Sequence, residues 1–101
     1  MQLSKHFKLE EFTKSMTATR KGIENMPGAG EIKNLENICY EILEPLRAKF
    51  ELPITITSGY RSPQLSEAIG SKTTSQHCQG MATDLEIASI PNIKIAYWLS
   101  N

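Results

Sequence analysis

The sequence holds two histidines, His6 and His77, and the second stands in the stretch SQHCQGMATD, seven residues before Asp84. An imidazole nitrogen and a carboxylate oxygen are both donors that a zinc ion accepts. Catalytic zinc usually keeps three protein ligands and leaves its fourth position to water, whose pKa then falls to about 7. Gly80 suits a loop that turns sharply enough to bring His77 and Asp84 to one point. Ala82 on the Asp84 face would leave space for a substrate. Spacing alone leaves two readings open: a metal site, or a polar loop that happens to contain His and Asp.

Two further residues could serve the same chemistry. Arg61 follows a strand-like run in SGYRSP, where a guanidinium could bind a carboxylate or steady a developing oxyanion. It could equally be an exposed arginine or one paired with a nearby acid. Ser75, two residues before His77, could position the ligand loop or donate to a substrate carbonyl, although a lone serine is more often a turn residue.

These residues need elements to hold them. PITITSGY is rich in β-branched residues and alternates, which predicts a strand. SPQLSEAIG predicts a helix with Ser62 as N-cap, Pro63 at its first position and Gly70 as its stop. SKTTSQHCQG reads as a polar loop, and MATDLEIAS as a second strand with Leu85 and Ile87 on one face and Ala82, Asp84 and Glu86 on the other. Upstream, Ile32, Leu35, Ile38, Cys39, Ile42 and Leu46 form one apolar stripe of a helix. Pro45 should kink that helix or end its first segment. The N-terminal LSKHFKLEEFTKS reads as an extended entry followed by a short helix, and TATRKGIENMPGAG as an aperiodic surface connection. The last segment, IPNIKIAYWLS, reads as an amphipathic helix from about Pro91, burying Ile95, Trp98 and Leu99. The expected class is α+β, with a small antiparallel sheet flanked by helices. Two strands make a marginal sheet, so its last strand or strands are expected to be missing.

Composition bounds the possibilities. The 101 residues suit one domain, and the 40% apolar and 22% charged fractions are ordinary globular values. Eleven basic and eleven acidic residues cancel, which gives no reason to expect nucleic acid as a partner. No stretch approaches the roughly 18–20 apolar residues of a membrane span, and MQLSKHFKLEEF has no apolar core of a signal peptide. Cys39 and Cys78 are expected to be reduced thiols.

Taken together, SGYRSPQLSEAIG followed by SQHCQGMATD closely resembles the zinc D-alanyl-D-alanine carboxypeptidase family, whose fold is shared with the signalling domain of Hedgehog proteins. FKLEEFTKS and NLENICYEILEPLRAKFELPITITSGYRS look like its phage and bacterial subgroup, so the resemblance covers essentially the whole chain. It implies that His77 and Asp84 are the first two zinc ligands and that Arg61 polarises the scissile carbonyl or steadies the oxyanion. It also implies that Ser75 positions substrate. The implied reaction is hydrolysis of a D-alanyl peptide bond of a peptidoglycan stem peptide, with a glutamate or aspartate as general base and acid.

The sequence departs from that pattern at Ser66, where the family often has Asn, and at Gly70–Ser71, where it often has a Gly pair. The family's third ligand is a histidine in a later aromatic-x-His motif, shortly after the catalytic acid. Neither occurs here, which leads us to expect a C-terminally truncated domain. Within the chain His6 sits in an arm expected to pack away from the metal. Glu86 lies about 7 Å beyond Asp84 by strand rise and reads as a solvated acid. Cys78 reads as structural. Two functions follow: a monomeric zinc peptidase acting on the cell wall after release by a phage or prophage, without membrane insertion, or a non-catalytic peptidoglycan-binding module on the same scaffold.

Overall fold

The computed structural model describes residues 1–72 and 76–96. An extended arm leads into α1 (Leu9–Thr13), where the Glu11 carboxylate turns back to accept from the Lys8 backbone N–H at 2.7 Å. Leu3, Phe7, Leu9 and Phe12 are all buried, the Phe7 and Phe12 rings 6.3 Å apart. The arm is clasped onto the helical layer by Glu44, which accepts from the Ser4 hydroxyl at 2.6 Å and the His6 N–H at 2.8 Å.

Next comes α2 (Met16–Lys21), which corrects the expectation of an irregular connection there. The Ser15 hydroxyl accepts from the Ala18 N–H, and Gly22 closes the helix in the left-handed region at φ 67°. This helix depends on its caps and on a single buried alanine, Ala18, so it carries almost no apolar period to read.

The long helix α3 (Ala29–Ile38) buries Leu35 and Ile38. It passes into a π-helical turn over Cys39–Leu43, and the helix resumes as α4 (Glu44–Phe50). The cause is Pro45: it lacks an N–H and crowds the preceding turn. The turn widens, and the Glu44 N–H donates to the Cys39 carbonyl five residues back.

β1 (Ile54–Ser58) and β2 (Ala82–Ile87) pair antiparallel with Ile54 opposite Ile87 and Ile56 opposite Leu85. Between them α5 (Pro63–Ala68) starts at Ser62, whose hydroxyl accepts from the Leu65 N–H at 3.2 Å. The segment read as a closing helix is instead a third strand, β3 (Ile90–Ala96), antiparallel to β2 in the order β1-β2-β3. IPNIKIA carries branched residues at alternating as well as helical spacing, and the Ala88–Ser89 turn decides between them. Ser89 takes φ 70°, and Ile87 pairs with Ile90 across a two-residue loop. Pro91 is tolerated because β3 is an edge strand. The sheet thus gains a third strand from residues inside the chain. Trp98 and Leu99 lie outside the described residues.

Ile54, Ile56, Leu85 and Ile87 cover one sheet face and meet the arm and α3 in one buried cluster. The opposite face carries Asp84 and Glu86.

Candidate functional site

His77 lies in a 3₁₀ turn, Gln76–Gln79, where the sequence reading had a featureless loop. Backbone bonds from Met81 N–H to Gln76 O (2.9 Å) and Gly80 N–H to His77 O (3.3 Å) close the turn. Asn34 of α3 donates its side-chain amide to Gln79 O at 2.8 Å. Gly80 has φ 70°, and a Cβ there would sit 2.5 Å from the Glu31 carbonyl oxygen. The turn therefore lies directly on the start of α3, and only glycine permits that approach.

The loop after β1 fixes the imidazole. Nδ1 of His77 is 2.7 Å from Gly59 O, and the Arg61 N–H donates to His77 O at 3.1 Å. A carbonyl only accepts, so Nδ1 carries a proton, and the ring's other nitrogen, Nε2, is the one turned toward Asp84. Gly59 is itself constrained, since a Cβ there would lie 2.7 Å from Cβ of Phe12. Tyr60 N–H donates to Phe12 O at 2.8 Å, locking the same loop onto α1.

Asp84 sits on β2 opposite Ser58, at an irregularity in the β1–β2 register, and opposite Lys94 on β3. Its Oδ2 stands 3.5 Å from Nε2 of His77. The ring is buried, 1% exposed, and the carboxylate is 36% exposed, so the pair has one dry side and one open side. Two acceptor atoms facing each other need positive charge between them. A proton on the ring would supply it, and so would a metal ion. The donor chemistry fits zinc: two ligands at zinc's nitrogen and oxygen distances, at a tetrahedral angle, lie about 3.4 Å apart. The Gly59 carbonyl on Nδ1 is the outer partner that metal-bound histidines have. Among the described residues, no group of three His, Cys, Asp or Glu side chains could hold a metal ion.

Arg61 is half-buried beside His77; its guanidinium donates to Ser71 Oγ at 3.4 Å, and its Nε is buried with no hydrogen-bond partner among the described residues. Ser75 lies outside the described residues. His6 is engaged elsewhere, its Nδ1 2.6 Å from Glu44. Glu86 is exposed, and the half-buried Cys78 thiol lies 4.0 Å from Lys72 O. Both cysteines are free thiols, and burial pushes Cys39 up to about 12. At the departure from the family pattern, the buried Ser66 donates to Lys72 O at 2.8 Å and anchors the loop that leads to His77.

Sequence reasoning missed Asn25. Its side-chain amide donates to Thr13 O (2.9 Å) and Tyr60 O (3.1 Å), and its Oδ1 accepts from the Ser62 N–H (2.7 Å). One carboxamide thus ties α1 to the loop that carries Gly59 and Arg61. It stands in an aperiodic stretch, where nothing in the sequence marks it. Burial raises the Tyr60 phenol above its usual range.

A family model described as Peptidase M15 matches residues 5–101. The chain belongs to the Peptidase M15 family. Neither the curated proteins nor the solved structures gave a match.

Proposed function

We propose that this protein is a zinc-dependent peptidase that hydrolyses D-alanyl peptide bonds of peptidoglycan stem peptides. The observation that carries the reading is the 3.5 Å approach of His77 Nε2 to Asp84 Oδ2, with the ring's other nitrogen committed to Gly59. His77 and Asp84 would hold the ion together with a ligand beyond this pair. A zinc ion held there supplies Lewis-acid polarisation of a peptide carbonyl and activates water near neutral pH.

The chain's own residues do the rest. The Gly59 carbonyl holds a proton on Nδ1 of His77 and so directs Nε2 toward Asp84. Asp84 brings its carboxyl oxygens to the open side of the pair. The Arg61 guanidinium meets no carboxylate among the described residues, and its donors suit a substrate carbonyl oxygen. The buried flank of the ring excludes water on one side, which strengthens these charge interactions.

The setting we infer is the bacterial cell wall, with delivery by a phage or prophage. Among the described residues no helix is long and apolar enough to cross a membrane. The test is release of D-alanine, or of a cross-bridge fragment, from purified stem peptides by the zinc-loaded protein. Loss of turnover in His77→Ala together with its zinc supports the proposal. Zinc uptake at the pair with no cleavage of any D-alanyl peptide would leave a binding module instead.

A further inference from the structure

α2 and the outer edge of β1 border a groove. Its inner end is a cavity of about 200 Å³ reaching Ser58, Tyr60 and Arg61. Its outer part is a broader hollow of about 670 Å³ reaching Arg20 and Ile56. Lys14, Ser15, Met16 and Thr57 line both, so the two hollows adjoin. The inner end adjoins the candidate site, because the Arg61 N–H that borders it holds the carbonyl of His77 at 3.1 Å.

The groove's charge is one-sided. Lys14 and Arg20 line the outer hollow, Lys14 and Arg61 line the cavity, and among the described residues no aspartate or glutamate lines either. The chain as a whole is neutral, so this concentration of positive charge is local. Met16, Thr19 and Arg20 are spaced three and four apart, which puts them on one face of α2, and that face borders the groove. Met16 is 82% exposed and Ile69, across the cavity, 43%. These two exposed apolar side chains suit small aliphatic groups, and the cations suit carboxylates.

We propose that this groove seats the length of substrate peptide on one side of the scissile bond, and that Lys14 and Arg20 select peptides bearing a free side carboxylate. The inference rests on the peptidase reading above, and it assigns the substrate class. An uncharged peptide of the same length would gain the apolar contacts of Met16 and Ile69 only.

The test uses two synthetic pentapeptides, L-Ala-γ-D-Glu-(Nε-acetyl)-L-Lys-D-Ala-D-Ala and the same peptide with the glutamate α-carboxylate amidated. Each is titrated in the cold into the wild-type protein and into Lys14→Glu/Arg20→Glu. NMR shifts report binding, and cleavage is read in the same spectra. Amidation should weaken binding to the wild type about tenfold, as expected for two partly exposed charge contacts. The double substitution should weaken binding of the acid by a similar factor and abolish the discrimination, because the changes share partners. Added salt should shrink the difference. Equal affinity of the wild type for both peptides, or no binding of either, overturns the proposal. Cleavage without discrimination would sink the groove and leave the peptidase standing. Discrimination without cleavage would do the reverse.

Discussion

His77 and Asp84 face each other across 3.5 Å, one from a 3₁₀ turn and the other from the middle strand of the sheet. The two residues make different demands on the fold. The histidine is buried and held by backbone on two sides, whereas the aspartate is half-exposed on its strand. Asp84→Asn should therefore leave stability within about 0.5 kcal/mol of wild type, yet weaken zinc binding by more than tenfold, because a neutral amide replaces the anionic ligand. Calorimetric zinc titration and urea denaturation of the same preparation check both halves.

Gly59 and Gly80 make sites for steric tests. A methyl group at Gly59 would lie 2.7 Å from Cβ and 2.8 Å from Cα of Phe12, so the loop must move off α1 and carry the His77 acceptor with it. Gly59→Ala should cost about 1–3 kcal/mol, as overpacking does in cores, and lower zinc affinity as well. Gly80→Ala combines the same crowding with a left-handed backbone and should be at least as costly. Thermal unfolding followed by circular dichroism measures the first effect, and metal titration the second.

Asn25 should behave as a structural residue whose loss reaches the site. Asn25→Ala removes three hydrogen bonds, each worth about 1 kcal/mol net, and leaves the Ser62 N–H without its acceptor. A loss of about 2–3 kcal/mol in urea unfolding is expected, with weaker zinc binding than in wild type even under fully folded conditions.

The Glu44 clasp sets an acid limit on stability. Burial tends to raise this carboxyl, but the hydrogen bonds from Ser4 and His6 outweigh it and lower its pKa below the usual carboxylate value. A carboxyl depressed on folding contributes its stability above the unfolded value, near 4.5, and loses it as the pH falls through the folded value. Glu44→Gln should cost about 1–2 kcal/mol at neutral pH and flatten the decline of stability below pH about 4.5. Urea midpoints taken across that range read both effects.

Much of this arrangement is legible in the residues themselves. The Ser62–Pro63 start and Gly70 end of α5, the alternation of β1 and β2, and the placement of Leu85 and Ile87 on one face and Asp84 on the other all follow from local chemistry and periodicity. SGYRSP and SQHCQGMATD bring out the candidate site through the residue types and spacing of Arg61, His77 and Asp84. Two kinds of feature stayed hidden. IPNIKIA satisfies helical and strand spacing alike, and only pairing with β2 across the Ala88–Ser89 turn selects the strand. Asn25, Asn34 and Gly59 act through partners 35, 45 and 18 residues away, and no local pattern records such contacts.

The most direct measurement is a long-range ¹⁵N–¹H correlation spectrum of the histidine rings as zinc is added. His77 should keep the proton on Nδ1, held by Gly59, while its Nε2 resonance moves to the range of a metal-bound nitrogen and His6 stays unchanged. A His77 ring that keeps both nitrogen resonances in place through the titration would contradict the account.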